Sequence, residues 1–138
     1  NKTTLSCLFL DLDHFKNIND KHGHQAGDLV LKQSSQIFDD IMRSSDLLAR
    51  YGGEEFVVLL ANTPIKVAHD IAERIRQRIA TTKFAISDTE TLHITLSIGL
   101  AVLDHRNAIK TTQQLINAAD QAVYVAKESG RNQVQQAS

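Results

Sequence analysis

Four carboxylates stand where apolar runs of this chain give out. Asp11 and Asp13 mark the exit of the run Leu5–Leu12, and Glu54 and Glu55 directly follow Gly52 and Gly53, between two further apolar runs. Carboxylate oxygens are hard ligands, and one or two of them, completed by waters and phosphate oxygens, suit Mg2+. If the runs are neighbouring strands, Asp11 and Glu54 point at one place, the Leu12 carbonyl adds an oxygen, and the site fits Mg2+ with a triphosphate. Any one of these acids alone is also an ordinary solvated turn residue. Gly52 and Gly53 leave a floor without side chains, which serves a tight turn and equally lets phosphates approach the backbone.

The elements that must hold these residues follow from hydrophobic spacing. Leu5–Leu12 is nearly continuously apolar and too short for a typical helix, so it predicts a strand buried on both faces. A short polar helix through about Lys21 comes next, then a segment with Gly23 and Gly27. A second helix, with Leu29, Val30, Ile37, Phe38 and Ile41, ends near Arg43. Residues 47–51 and 55–60 flank Gly52-Gly53 as a hairpin, the glycines supplying the turn. Pro64 opens a third helix, on which Ala68, Ile71, Ala72, Ile75 and Ile79 recur at helical spacing. A weak strand at 84–86 and a stronger one over 92–103 precede a helix with Leu115, Ile116, Ala119, Val123 and Ala126, which Gly130 stops. A last strand is expected over 131–134. The antiparallel hairpin excludes an all-parallel sheet, so the expected fold is α/β in the broad sense (α+β): a mixed central sheet with flanking helices, ferredoxin-like.

Composition narrows the function. A chain of 138 residues, 42% hydrophobic and 22% charged, is one globular domain with a substantial core. Its formal charge of -1 supplies no positive field for nucleic acid, so no nucleic-acid partner is expected. No apolar stretch approaches a membrane span, the first residues lack a signal-peptide pattern, and no membrane contact is expected of this segment. The single cysteine, Cys7, sits among Leu5, Leu8 and Phe9, which suggests a buried core residue and a cytoplasmic location. His22, His69, His93 and His105 lack metal-ligand spacing with cysteine or carboxylate partners.

The polar residues fall into a longer pattern. Arg50-Tyr51-Gly52-Gly53-Glu54-Glu55-Phe56 resembles the signature of the GGDEF family of diguanylate cyclases in its GGEEF form. So do Asp11-Leu12-Asp13-His14-Phe15-Lys16, Asn19-Asp20, Gly23-His24-Gln25-Ala26-Gly27-Asp28, and the stretch from Ala119 to Asn132, in matched order and spacing. The resemblance implies a palm-like sheet related to nucleotidyl cyclases that condenses two GTP molecules into cyclic di-GMP, with release of pyrophosphate. Each domain would hold one GTP, and a homodimer would bring the two together. By matching position, Asp11, the Leu12 carbonyl and Glu54 would bind Mg2+, or Mn2+ in its place, and Glu54 would also accept the proton of the attacking hydroxyl. Lys16 would face charge that grows in the transition state, Lys127 and Arg131 would hold the outer phosphates, and Asn19, His24 and Asp28 would form the guanine site. A carboxylate accepts from the donors of guanine's Watson–Crick edge, and an amide both donates and accepts.

Plain structural readings stand beside these roles. Lys127 near a helix end suits the macrodipole, Arg131 after Gly130 is compatible with a surface charge, Lys16 with solvation, and Asp28 with stabilising a helix start. Arg43-Ser44-Ser45-Asp46, separated from Gly52 by five residues, resembles the family's RxxD inhibitory product site, and Arg74 matches a position where some members add a further product-binding arginine. Arg43 and Asp46 would equally form a helix-ending ion pair. Family domains usually begin with a helix and a DxLT-type turn upstream of this segment. The expectation is therefore that residues 1–138 form the C-terminal output domain of a longer signalling protein, one that could be membrane-anchored through its N-terminal region. The alternative function is a catalytically silent domain that senses cyclic di-GMP or GTP.

Overall fold

The computed structural model describes residues 4–104, 106 and 108–138; the unassigned His105 lies outside them. In chain order the elements are β1 (Leu5–Leu12), α1 (Phe15–His22), α2 (His24–Ile41), β2 (Asp46–Arg50), β3 (Glu55–Ala61), α3 (Ile65–Thr81), β4 (Phe84–Ala85), β5 (Thr91–Leu92), β6 (Leu96–Leu103), α4 (Thr112–Glu128) and β7 (Val134–Gln136). Five strands form the main sheet in the order β2-β3-β1-β6-β7, antiparallel except for the parallel pair β6-β7, while β4 and β5 make a separate small hairpin.

β1 is apolar throughout because both of its faces are covered. Leu8, Leu10 and Leu12, with Phe56, Val58, Leu60, Leu96, Ile98 and Leu100, pack under α2 and α3. Cys7, Phe9, Val57 and Ala101 face α4 through Leu115, Ala119 and Val123. Each helix therefore needs only one apolar stripe. Close approach of α4 to β6 depends on Gly99, where an added Cβ would collide with the Ala119 carbonyl and lie 2.7 Å from the Val123 nitrogen. Among the described residues no helix is long and apolar enough to cross a membrane.

Several expected boundaries move. The second helix stops at Ile41 rather than near Arg43, and it starts at His24, so Gly27 is helical. The strand expected over 92–103 divides into β5 and β6, because Thr91–Leu92 pair with β4 in a separate hairpin while Leu96–Leu103 pair with β1. The last strand begins at Val134, since Arg131 and Asn132 adopt left-handed backbone (φ 62° and 49°) and cannot extend a ladder. The hairpin loop is also wider than a two-glycine turn: it spans residues 51–54, and neither Gly52 nor Gly53 has positive φ. Their value is space. A Cβ on Gly52 would run into the Glu55 carboxylate, and nothing approaches a Cβ placed on Gly53.

Candidate active site

The site lies where β1, the β2-β3 loop and the end of α4 meet. Antiparallel register places Asp11 opposite Glu55, and Leu12 N–H donates to the Glu54 carbonyl (3.3 Å), so the strand exit and the hairpin tip are stitched together. The sequence-level condition for a shared site, that the two acidic runs be neighbours, is thus met. Arg50 holds the loop from below, donating from Nε to the Gly52 carbonyl (3.2 Å) and from Nη2 to the Gly53 carbonyl (2.6 Å).

Lys127 reaches this corner from α4. Its Nζ stands 3.2 Å from Asp11 Oδ1 and 3.2 Å from Asp13 Oδ1. Asp11 Oδ1 is buried, and that ammonium offers it charge without an aligned hydrogen bond. Burial pushes the Asp11 carboxyl up from 3.8 to about 6; Lys127 pulls it down, and the nearby Glu54 and Glu55 push it further up. Glu55 is raised as well, by burial first, then by Asp120 and Glu54. A half-buried group of carboxylates with too little positive charge is the electrostatic condition that a divalent cation relieves.

Asp13 behaves oppositely. It is 2% exposed and accepts from Thr95 Oγ1 (2.6 Å), Ser97 Oγ (2.6 Å), Lys127 Nζ (3.2 Å) and the Asn132 N–H (3.1 Å). Burial opposes its ionisation, but the Ser97 and Thr95 bonds, the Lys127 charge and the Asn132 bond outweigh it and hold the carboxyl below its ordinary value. Asp13 therefore fastens β1, β6 and the turn after α4 to one another. Sequence alone does not assign Asp13 this role, because nothing in its neighbours separates it from Asp11.

Arg131 follows Gly130 in left-handed conformation, its N–H donating to the Ala126 carbonyl (2.9 Å). Its Nε is buried and lacks a hydrogen-bond partner, and the next residue, Asn132, is bonded through its N–H to Asp13. Lys16 lies exposed in the first turn of α1. Asn19, on α1, sits against Gly27 of α2, where any Cβ would strike its amide oxygen; Gly27 thus makes room for Asn19 directly beside Asp28. Asp28 and His24, both on α2, are exposed. Asn19 thus lies at the α1-α2 seam, against Gly27 beside Asp28, and its carbonyl accepts from the N–H of Gly23, beside His24.

Arg43, Asp46 and Arg74 lie apart from this corner. The Arg43 guanidinium pairs with Asp46 through Nε (3.1 Å) and Nη2 (2.8 Å), and Nη2 also donates to Thr63 Oγ1 (2.6 Å). Arg74 is exposed on α3 and lines a shallow cavity with Ile41, Gln77, Arg78 and Thr81 near the end of α2. The alternative ion pair of Arg43 with Asp46 is present, and Arg74, on α3, is not among its partners.

Among the described residues no group of three or more His, Cys, Asp and Glu side chains is arranged to hold a metal alone. Asp11 lies within electrostatic reach of Glu54 and Glu55, and one or two carboxylates completed by waters and phosphates are a donor set that suits Mg2+.

Paired acids, a lysine and an unpartnered arginine at the open end of a mixed sheet are suited to binding a metal-polyphosphate. The family description "Diguanylate cyclase, GGDEF domain" matches residues 1–133, and the chain belongs to that family. Over 133 residues, 96% of the chain, it is 42% identical to diguanylate cyclase A of Treponema denticola and 44% identical to diguanylate cyclase DosC of Escherichia coli K12. It spans 35% and 28% of the length of those relatives. Among solved structures it resembles the active GGEEF domain of a Vibrio cholerae diguanylate cyclase (36% identity, TM-score 0.89, 98% of this chain and 83% of that one). It also resembles the GGDEF domain of DgcB from Caulobacter crescentus in complex with c-di-GMP (34% identity, TM-score 0.90, 98% and 78%).

Proposed function

We propose that this chain is the catalytic domain of a diguanylate cyclase, condensing two GTP into cyclic di-GMP and two pyrophosphates, and that it serves as the output domain of a longer signalling protein. The observation that supports this best is the convergence of Asp11, Glu54 and Lys127 at one corner, with the unsatisfied Arg131 Nε on the adjoining turn. Asp11, the Leu12 carbonyl and Glu54 would hold Mg2+, or Mn2+ in its place. The bound cation would polarise the α-phosphate and acidify the attacking hydroxyl.

The protein's own residues do the rest. Lys127 and Arg131 bind the outer phosphates; Lys127 exchanges part of its pairing with Asp11 for phosphate while Asp13 still anchors it. The open floor at Gly53 admits the phosphates to the loop. Asn19 and Asp28 read the guanine edge at the α1-α2 seam, with His24 at the start of α2 beside it. Lys16, on the first turn of α1, faces the charge that builds on the leaving pyrophosphate. A ribose 3′-hydroxyl of one GTP attacks the α-phosphorus of the other, the bond to pyrophosphate breaks, and Glu54 takes the hydroxyl proton. One corner holds one GTP, so ring closure needs two domains face to face, and the working species is a homodimer. Arg43 and Asp46, joined by Arg74, bind cyclic di-GMP as an inhibitor away from the corner.

The test incubates a form whose dimerisation is verified with GTP and Mg2+ and resolves the nucleotide products. Cyclic di-GMP is expected, and Glu54→Gln should lower its rate by about 10²-fold or more. Nucleotide retained without turnover would identify a silent receptor domain, and near-normal turnover by Glu54→Gln would remove that residue's role.

A further inference from the structure

The phosphate-binding turn has a support from an element that contributes nothing else to the site. Residues 131 and 132 are consecutive non-glycine residues in left-handed backbone, a conformation that persists only where surrounding contacts impose it. Locally, the Arg131 N–H is bonded to the Ala126 carbonyl (2.9 Å) and the Arg131 carbonyl accepts from Gln133 Nε2 (3.1 Å); at long range, the Asn132 N–H is bonded to Asp13. A further long-range constraint comes from α3: Arg76 Nη1 donates to Asn132 Oδ1 (2.8 Å), while Arg76 Nε donates to Glu73 Oε1 (2.6 Å) one helical turn earlier. The Arg76 side chain is only 18% exposed and already paired, so it is a fixed strut between α3 and the turn and not a free cation available to a ligand. Asn132 is thus gripped at backbone by Asp13 and at side chain by Arg76, and the residue before it presents the unpartnered Arg131 Nε.

We infer that Arg76 is a positioning residue for the nucleotide's outer phosphates, acting through Asn132 to hold Arg131 in its left-handed, phosphate-facing conformation. The inference rests on the proposed role of Arg131 and extends the site to α3. Without the strut the turn samples the more favourable right-handed and extended regions, and Arg131 must be re-ordered whenever phosphate binds.

The experiment measures equilibrium binding of a non-reactive GTP analogue with Mg2+, together with thermal melting of the free protein. Arg76→Met keeps the packed stem and removes the donors. Asn132→Gly removes the acceptor while tolerating positive φ, so it tests the same contact in a variant whose turn is not strained. Each should weaken binding about tenfold, the scale of one misplaced charge-assisted contact. In an Arg131→Ala background, Arg76→Met should add less than about twofold, because coupled residues are not additive. Arg76→Lys, which can still donate to Asn132, should recover most of the affinity. Unchanged affinity in Arg76→Met and Asn132→Gly overturns the inference, as does an equal loss with and without Arg131, which would mark a general structural effect. If Arg131→Ala itself leaves binding unchanged, the phosphate role of Arg131 falls and this inference falls with it; that outcome is distinct from an affinity loss in Arg131→Ala alone.

Discussion

Asp11→Asn should make the metal-free protein more stable while removing its capacity for turnover. The Asp11 carboxyl, raised from 3.8 to about 6, is an acid whose folded state prefers the proton. For such a group the folded state binds more protons between the two values, so its contribution to stability falls as pH rises through that window and stays low above it. A displacement of that size is worth roughly 3 kcal/mol at neutral pH, at about 1.4 kcal/mol per unit. Asparagine removes the charge at nearly constant shape. Lys127 keeps Asp13 at 3.2 Å, so no ammonium is left unpaired. Imperfect hydrogen bonding of the new amide lowers the net gain to about 1–2 kcal/mol at pH 8. At pH 5 part of the penalty is already relieved by protonation, and the gain should be smaller by about 1 kcal/mol. Asp13 contributes no pH dependence here, because its lowered value places its transition below this range. The assay is urea unfolding of parent and variant at pH 5 and pH 8 with chelator present, the titrations of groups not coupled to Asp11 cancelling in the difference. Added Mg2+ should then stabilise the parent and not the variant. A variant less stable than the parent at pH 8, or a difference independent of pH, would refute the argument that burial strains this carboxylate.

Three further outcomes follow from the geometry. Asp28→Ala should erode a preference for GTP over ATP that can reach about 10⁴-fold where buried polar groups would be mismatched; equal nucleotide affinities in the parent, or unchanged discrimination in the variant, would place base recognition elsewhere. Arg43→Ala should release inhibition by added cyclic di-GMP, noncompetitive toward GTP, in initial-rate measurements on a verified dimer, since its guanidinium fork and Asp46 lie away from the acidic corner; equal inhibition of both proteins, or full relief by excess GTP, would leave the Arg43-Asp46 contact as a plain ion pair. Gly99→Ala should cost about 3 kcal/mol or more in denaturant unfolding, because its Cβ would meet the α4 backbone at Ala119 and Val123, which cannot yield as a flexible side chain can; a near-neutral result would show that α4 is not seated as closely as described.

The sequence by itself determined the principal elements and the chemical types at the site. Apolar continuity over Leu5–Leu12 could only be satisfied by a strand covered on both faces, and the 3.6-residue spacing in α2, α3 and α4 left each helix one face to bury. The order and spacing of the motifs likewise carried the resemblance to the GGDEF family, whose model matches residues 1–133. What the tertiary structure alone decided is long-range. Asp13 has no local signature separating it from Asp11, yet one faces Thr95, Ser97 and Asn132 and becomes a fully bonded anchor, while the other faces Glu54 and is left strained. The left-handed turn at Arg131 and Asn132 could not be read from residue types alone; beside the local bond of the Arg131 N–H to the Ala126 carbonyl, it is tied to Asp13 and to Arg76 of α3, 119 and 56 residues away from Asn132 in the chain. Local propensity is a matter of fractions of a kcal/mol per residue, and packing and buried hydrogen bonds outweigh it wherever distant segments meet.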